Sequence, residues 1–318
     1  MARAAPLVSI AEAPAPPGGE AEWFQGAGGV RLRAALWPAT AAVRGSVVLS
    51  PGRTEPIEKY FEVVTELRAR GFCVIAHDWR GQGLSQRLLP DRLKGHADSP
   101  ADFAADHRAL LDAFADRLPQ PWIALAHSMG GALVMLALAE GEGRLAAALL
   151  TAPMLGVATG AAPGWAASGI ARLMRLTGRA AAYALPASDP LSGWTEGNPL
   201  THDRARYERY KAQLRACPEL GLGSPTWGWL LMGLQLGSRL AAPGALEAIT
   251  LPVSLVTAGE ERLVLNAAAR AAARRLPDGR CLEIPGARHE LFMETDPIRA
   301  KVWQAFDALA DPISPPRA

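Results

Sequence analysis

Cysteine is scarce in this sequence, and the few cysteines are far apart. The 318 residues include Cys73, Cys217 and Cys281, with no Cys-x-x-Cys pair. This pattern excludes a disulfide framework and offers neither a zinc site nor a redox dithiol. Because an odd number of widely spaced cysteines fits a reducing compartment, we expect a cytoplasmic protein.

Blocks of like charge and long apolar runs are also absent. The 33 basic and 31 acidic residues are interspersed and give a net charge of +2, so no basic stripe follows a phosphate backbone and nucleic acid is not an expected partner. The N-terminal segment is interrupted by Pro6 and Glu12 and lacks the apolar core of a secretory signal. No stretch reaches the roughly 18 apolar residues of a spanning helix. We therefore expect membrane contact only as a peripheral association, at the inner face of the membrane.

The apolar residues are instead distributed in short runs that alternate with amphipathic segments. Hydrophobic residues make up 49% of the chain, which is enough for one large core. Apolar runs predict strands at residues 45–49, 72–76, 122–126, 146–150, 253–257 and 280–284. Helical spacing predicts helices at residues 60–67, 101–118, 130–139, 267–276 and 298–309. This alternation predicts an α/β fold with a mostly parallel sheet covered by helices on both faces.

The alternating pattern breaks after Pro153 for about ninety residues, far longer than an ordinary connection. The sequence there is rich in Gly, Pro and Trp and contains helical pieces. We predict a core formed by residues 21–152 and 246–311 and a helical cap formed by residues 153–245. The low-complexity ends, residues 1–20 and 312–318, are predicted to be a flexible arm and a flexible tail.

Ser128 is the strongest candidate nucleophile. It lies in Ala126-His127-Ser128-Met129-Gly130-Gly131, directly after a predicted strand and before a predicted helix. Small residues around such a serine permit the sharp strand-to-helix turn that exposes its hydroxyl at the edge of the sheet. The first glycine of the G-x-S-x-G pattern is replaced by Ala126, which keeps the steric requirement. The alternative role, a serine that caps the following helix, does not require this strand-turn-helix context.

A serine hydroxyl needs a base and an orienting acid, and both are expected at the same sheet edge. His289, one of six histidines, follows the last predicted strand, whereas His127 is expected to face the opposite side of the turn. Glu261 follows the strand at 253–257 and gives the chain order serine, acid, histidine. Glu260 remains an alternative acid. The glutamate that is not used is expected to form a solvated charge pair with Arg262.

Hydrolysis of an ester also needs donors for the oxyanion that develops on the acyl oxygen. The backbone N–H of Met129 is one candidate because Met129 follows the nucleophile. The backbone N–H of Arg53, in the loop after the first buried strand, is the other. The Arg53 side chain either meets a phosphate or carboxylate or is a surface arginine at a turn.

Two further groups of residues have competing explanations. The polar turn at residues 78–85 is interpreted as structural, with Gly81 and Gly83 forming the turn. Four tryptophans in the predicted cap either line an acyl pocket or pack the cap on the core: Trp165, Trp194, Trp227 and Trp229.

Several of these segments together resemble the α/β-hydrolase family of lysophospholipases and monoacylglycerol lipases. The similar segments are Pro-Gly-Arg-Thr-Glu at 51–55, Asp-x-Arg-Gly-x-Gly-x-Ser at 78–85, Asn-Pro-Leu-Thr at 198–201 and the acid loop at 259–264. The resemblance implies an eight-stranded core with a helical cap after the sixth strand. Pro51 stands where many relatives have histidine, and Glu261 where many have aspartate.

These observations predict a serine hydrolase that cleaves fatty acyl esters of single-chain lipids, with a lysophospholipase favoured. A monoacylglycerol lipase, a general carboxylesterase or a peptidase would use the same residues. A non-catalytic lipid-binding relative is the alternative from another class. The predicted mechanism requires no cofactor and no metal, and the predicted partner is a lipid or small ester substrate.

Overall fold

The computed structural model describes residues 3–158 and 164–316. Residues 1–2 of the predicted arm, 159–163 of the predicted cap and 317–318 of the predicted tail lie outside the described residues.

The described residues form one nine-stranded sheet in the order β1-β2-β3-β5-β4-β6-β7-β8-β9. The strands are β1 (Arg3–Ala4), β2 (Glu20–Gln25), β3 (Arg31–Trp37), β4 (Gly45–Ser50), β5 (Phe72–Asp78), β6 (Trp122–His127), β7 (Leu145–Thr151), β8 (Val253–Ala258) and β9 (Gly279–Ile284). The pairs β1–β2, β2–β3 and β3–β5 are antiparallel, and all pairs from β5 through β9 are parallel. The six strands predicted from the sequence are therefore present and form the parallel part.

Eight α-helices connect or cover these strands in the described part of the chain. They are α1 (Phe61–Ala69), α2 (Pro100–Phe114), α3 (Ser128–Ala139), α4 (Gly164–Leu176), α5 (Arg204–Ala216), α6 (Trp227–Ala241), α7 (Asn266–Arg275) and α8 (Asp296–Ala310). Short 3₁₀ helices lie at Ala27–Gly29, Ile57–Tyr60, Ala115–Arg117, Pro218–Leu220 and Leu291–Met293. None of the described helices is long and apolar enough to cross a bilayer.

The direction of the strand crossovers places helices on both faces of the sheet. The chain moves one way along the sheet from β4 to β5 through α1, and the other way from β5 to β6 through α2 and from β6 to β7 through α3. Right-handed crossovers in opposite directions put α1 on one face and α2 and α3 on the other. Because both faces are covered, β4, β5 and β6 are buried along their whole length and are recognisable as continuous apolar runs.

The N-terminal region differs from the prediction. The structure places residues 3–20 against the core instead of leaving a free arm, and the antiparallel strands β1 to β3 were not predicted. The guanidinium of Arg33 donates to the Pro6 carbonyl at 2.9 Å, and the indole N–H of Trp37 donates to the Pro16 carbonyl at 3.0 Å. Both side chains are fully buried, so they need acceptors, and the proline-rich segment supplies them. In the predicted tail, the Pro315 carbonyl likewise accepts from Arg44 at 2.7 Å.

The long insertion between β7 and β8 contains α4, α5 and α6 in its described residues. If the two-residue β1 is left out of the count, β7 is the sixth strand, which is the position that the resemblance implies for a cap. The helix α6 packs on α3. We therefore propose the division into a core of residues 21–152 and 246–311 and a cap of residues 153–245.

All three cysteines are free.

Candidate active site

Ser128 lies at the turn where β6 ends and α3 begins, in a strained conformation. Its φ is +49°, a left-handed value that non-glycine residues rarely adopt. A side chain at Gly130 would meet the Pro51 carbonyl oxygen at 2.3 Å, so glycine is required there for the turn to pack under the loop after β4. Ala126 is 2% exposed, and the buried position holds its methyl group. The pattern with alanine in the first position therefore still forms the turn.

The side chains of Ser128, His289 and Glu261 form a continuous hydrogen-bonded chain. The Ser128 Oγ is 2.9 Å from His289 Nε2, and His289 Nδ1 is 2.8 Å from Glu261 Oε2. Because a carboxylate only accepts hydrogen bonds, the proton lies on Nδ1, and Nε2 is left to accept from the serine hydroxyl. The Ser128 hydroxyl is hydrogen-bonded to the histidine, and no side chain caps the N-terminus of α3. The alternative role of Ser128 as a helix cap is therefore not observed. The three residues come from the loops after β6, β8 and β9, at the carboxyl edge of the sheet.

Backbone amides hold Glu261 in place. Its Oε1 accepts from the N–H groups of Arg262, Leu263 and Val264 at 3.0, 2.8 and 3.3 Å. Burial alone would raise the pKa of the Glu261 carboxyl, but the hydrogen bond and charge of His289 and these amides lower it overall. The group is therefore ionised at neutral pH and oriented toward the histidine.

Glu260, the alternative acid, points elsewhere. Its carboxylate lies 3.4 Å from His202 Nε2 and 3.6 Å from Arg288 Nε, and its side chain is 45% exposed. It is thus a partly solvated charge, as expected for the unused glutamate, but its partners are His202 and Arg288 instead of Arg262.

The loop after β4 is held on both sides of Arg53. The Gly52 N–H donates to Glu55 Oε2 at 2.6 Å, and the Thr54 N–H donates to Gln82 Oε1 at 2.6 Å. Thr54 has a φ of +67°, so the loop is strained at this point. Among the residues that the structure describes, the Arg53 N–H itself has no acceptor. This amide is available to a ligand.

The backbone N–H of Met129 is available for a different reason. Met129 is the second residue of α3, and the first N–H groups of a helix have no acceptor inside the helix. The positive end of the helix dipole adds to the attraction for a negative oxygen beside Ser128.

A cavity of about 330 Å³ opens above Ser128 and His289. Its apolar lining includes Met154, Val157, Leu185, Leu200, Trp229 and Val264. Its polar lining residues are Arg53, Thr54, Glu55, His127, Ser128, His289 and Glu290. A pocket lined by both apolar side chains and polar groups is typical of a site for an amphiphilic molecule.

One of the four tryptophans considered for the acyl pocket lines this cavity. Trp229 does so, whereas Trp165 is 80% exposed and Trp194 packs with its ring centroid 5.2 Å from that of Tyr207. Trp227 opens α6 two residues before Trp229, and residues two apart on a helix face different sides. Of the two explanations, the described lining therefore favours the pocket for Trp229 and not for Trp165, Trp194 or Trp227.

A buried charged cluster beside the site was not predicted from the sequence. The Lys59 ammonium lies 2.8 Å from Glu55 Oε1 and 2.6 Å from Glu290 Oε1, and Tyr60 donates to Glu55 at 2.6 Å. Burial would raise the pKa of Glu55, but chiefly the Lys59 charge lowers it to about 2. The cluster fixes Glu55, and Glu55 in turn holds the loop at Gly52. The spacing of Glu55 and Lys59, four residues, was the only signal for it in the sequence.

His127 lies closer to the site than predicted. Its ring lines the cavity, with its centroid 4.8 Å from that of His289. Its Nδ1 is bound to the Thr151 hydroxyl and carbonyl at 3.0 and 3.1 Å, not to Ser128. Burial lowers the pKa of His127 to about 4, so it is neutral near pH 7. It therefore adds no charge to the cavity.

The polar turn after β5 is structural, as predicted. The Asp78 carboxylate accepts from the N–H groups of Ile57 and Leu84 at 2.9 and 2.8 Å, and from the Arg33 guanidinium at 2.8 Å. A side chain at Gly83 would meet this carboxylate at 2.2 Å. Gln82 of this turn accepts from the Thr54 N–H, so the turn also supports the loop of Arg53.

The sheet topology and the serine at the strand-to-helix turn define an α/β-hydrolase, and the chain is a serine hydrolase of that fold. A model of the Hydrolase_4 family, described as serine aminopeptidase, S33, matches residues 41–296. The chain belongs to this family.

Relatives of known name extend the comparison. The chain is 36% identical over 270 residues to lysophospholipase L2 of Escherichia coli, which covers 81% of this chain and 78% of that protein. It is 28% identical over 276 residues to a monoacylglycerol lipase of Mycolicibacterium smegmatis, which covers 86% of this chain and 91% of the relative. A solved structure of a soluble variant of monoglyceride lipase from Saccharomyces cerevisiae matches with a TM-score of 0.72 over 93% of this chain and 95% of the other, at 20% identity. That last likeness concerns the fold.

Proposed function

We propose that the protein is a lysophospholipase that hydrolyses the acyl ester of single-chain phospholipids, with Ser128 as nucleophile, His289 as base and Glu261 as orienting acid. The observation that carries this proposal is the chain of two short hydrogen bonds from Ser128 Oγ through His289 to Glu261. The 36% identity to a lysophospholipase supports the substrate class, and with it the activity of a carboxylic ester hydrolase.

The mechanism follows from this geometry. His289 Nε2 accepts the hydroxyl proton as Ser128 Oγ attacks the acyl carbon, and Glu261 stabilises the imidazolium that forms. The negative acyl oxygen of the tetrahedral intermediate accepts hydrogen bonds from the N–H groups of Arg53 and Met129. When the intermediate collapses, the bond to the leaving alcohol breaks and His289 returns the proton to that alcohol. Water then attacks the acyl-enzyme by the same steps and releases the fatty acid.

A substrate panel tests the proposed activity. We expect fatty acid release from lysophosphatidylcholine and lysophosphatidylethanolamine with a higher kcat/KM than from a monoacylglycerol of the same chain length or a short ester. A higher kcat/KM for the monoacylglycerol would instead support the second candidate, a monoacylglycerol lipase, which the relative from M. smegmatis favours. Lipid binding without turnover of any of these substrates would contradict both and support a non-catalytic relative.

We further propose that the cap contacts the membrane surface through α4. Large apolar side chains on this helix are exposed: Trp165 at 80%, Ile170 at 49%, Leu173 at 59% and Leu176 at 85%. The helix also has Arg172 and Arg175 and no acidic residue. An apolar face flanked by arginines favours the interface of a membrane that contains anionic lipid. Such a contact would deliver a single-chain lipid to a cavity beneath the cap.

The double variant Trp165→Ala/Leu176→Ala tests this contact. Because each side chain loses about 1.5–3 kcal/mol of apolar transfer when it is removed from the interface, we expect binding to anionic vesicles to weaken by at least about tenfold. Co-sedimentation with vesicles of phosphatidylglycerol and phosphatidylcholine measures the effect. Val43→Ala is the matched control, since Val43 is 53% exposed in the loop before β4, at the opposite edge of the sheet. Equal binding of both variants and the parent protein would contradict the proposal.

A further inference from the structure

The side chain of Arg53 lies in the cavity above Ser128 and is poorly satisfied there. One guanidinium nitrogen, Nη2, donates to the Gly223 carbonyl, and the guanidinium carbon lies 5.1 Å from the ring centroid of Trp229. The Nε atom is enclosed and has no hydrogen-bond partner among the described residues. Burying a guanidinium N–H group without a hydrogen-bond acceptor destabilises the folded protein.

Arg53 also lacks a counter-charge. Within residues 3–158 and 164–316 no carboxylate lies within ion-pairing distance of its guanidinium, and residues 159–163 contain no acidic side chain. By contrast, Lys59, the buried cation of the neighbouring charged cluster, has two carboxylates, those of Glu55 and Glu290. Burial lowers the pKa of Arg53 to about 10, so the guanidinium is still charged at neutral pH. An uncompensated cation in a cavity is stabilised by an anionic ligand.

The location of this cation matches one part of the proposed substrate. In the proposed mechanism the Arg53 N–H binds the acyl oxygen, so its side chain starts beside the scissile ester and extends within the same cavity. In a lysophospholipid, the three carbons of glycerol separate the ester from the phosphate. A monoacylglycerol presents a hydroxyl at that distance and leaves the guanidinium unpaired.

We infer that the Arg53 guanidinium binds the phosphodiester of the substrate head group and thereby selects lysophospholipids over neutral monoacylglycerols. This inference rests on the proposed function and assigns its head-group specificity to one side chain. A planar guanidinium suits a phosphate because two N–H groups can donate to two phosphate oxygens.

The test compares two substrates within each variant. Arg53→Met removes the charge but keeps the stem and the backbone N–H, and Arg53→Lys keeps the charge without the fork. We expect the ratio of kcat/KM for lysophosphatidylcholine to that for a monoacylglycerol of equal chain length to fall about 10- to 100-fold in Arg53→Met, the effect of losing a charge-assisted hydrogen bond. Arg53→Lys should recover part of that ratio. Since each ratio is taken within one protein, losses in folding or in oxyanion binding cancel.

Four outcomes decide on the inference and distinguish its failure from that of the proposed function. An unchanged ratio in an active Arg53→Met variant would overturn the inference and leave the proposed function standing. Wild-type protein that hydrolyses monoacylglycerol but not lysophosphatidylcholine would overturn the proposed function itself, and the inference with it. If Arg53→Met does not fold, Ser128→Ala protein provides the readout: ether-linked lysophosphatidylcholine should bind at least tenfold tighter than the matching alkylglycerol, and equal affinities would overturn the inference. The last measurement is the affinity of the same Ser128→Ala protein for inorganic phosphate. If phosphate alone binds as tightly as the ether lipid, the site is assigned to free phosphate instead.

Discussion

Replacing Ser128 with alanine is expected to lower kcat for lysophosphatidylcholine by about 10⁴- to 10⁶-fold, the scale seen when the nucleophile of a serine hydrolase is removed. The loss is this large because His289 and the two backbone donors act on a reaction that Ser128 Oγ begins. Without the oxygen no acyl-enzyme forms, and the remaining donors only polarise the carbonyl for attack by water. Release of fatty acid from the lysolipid, measured in parallel for both proteins, determines the ratio.

Labelling with a fluorophosphonate probe gives an independent measurement of the same group. The wild-type protein should be labelled at Ser128 and the alanine variant should not. Ser192→Ala is the matched control, because Ser192 is an exposed serine of the cap, and it should retain both activity and labelling. The fold should survive in the Ser128 variant, since alanine replaces one small side chain by another at the same φ. Full activity or full labelling of Ser128→Ala would assign the nucleophile to another residue.

The parallel part of the fold was predictable because burial on both faces leaves a simple signal. The strands β4, β5 and β6 have no solvent face, so their residues are apolar or small along the whole strand. The antiparallel edge gives no such signal. The fully buried Arg33 interrupts the pattern of β3, and its pairing with Glu58 and Asp78 at 2.7 and 2.8 Å depends on residues 25 and 45 positions away. Only the tertiary structure brings these charges together.

The candidate site divides in the same way. The sequence predicts that Ser128, His289 and Glu261 lie together because each follows a strand of the parallel sheet, and the carboxyl ends of such strands meet at one edge; the structure joins the three by hydrogen bonds. The environment of the site was not found. Lys59 and Glu55 are four residues apart in the sequence, but only the fold brings Glu290, from the loop of His289, to 2.6 Å from Lys59. Which cap tryptophan faces the cavity likewise depends on the rotation of α6, which the spacing of Trp227 and Trp229 alone does not specify.

The buried cluster of Lys59, Glu55 and Glu290 holds the loop that contains Arg53. Glu55 accepts from the Gly52 N–H at 2.6 Å, and the adjacent Arg53 N–H has no acceptor among the described residues. In the proposed mechanism an ionised carboxylate therefore holds the oxyanion loop in place before substrate enters, as preorganised stabilisation of the developing charge requires.

The sequence offers two neighbouring candidates, Glu260 and Glu261, for the acid of the proposed triad. Glu261 contacts His289 at 2.8 Å with a side chain that is 2% exposed, whereas Glu260 lies against His202 and Arg288 with a side chain that is 45% exposed. Glu261→Gln keeps the size and the acceptor for the three amides that bind Oε1. Its amide group, however, would donate to His289 Nδ1, so the histidine would carry its proton on Nε2. That tautomer cannot accept the proton of Ser128.

We therefore expect Glu261→Gln to lower kcat by about 10³- to 10⁴-fold, as is typical when the orienting acid of a triad becomes an amide, while Glu260→Gln changes it by less than about threefold because exposed ion pairs contribute little. The stability of the two variants should also differ with pH. Since the folded-state pKa of Glu261 lies below its ordinary value of 4.5, its ionisation stabilises the fold above that pH, and this contribution is lost as the pH falls through the lowered pKa. Glu261→Gln should lack this loss, and Glu260→Gln should keep it. Steady-state kinetics and urea unfolding between pH 3 and pH 7 measure both effects, and a larger loss of activity in Glu260→Gln would move the acid to its neighbour.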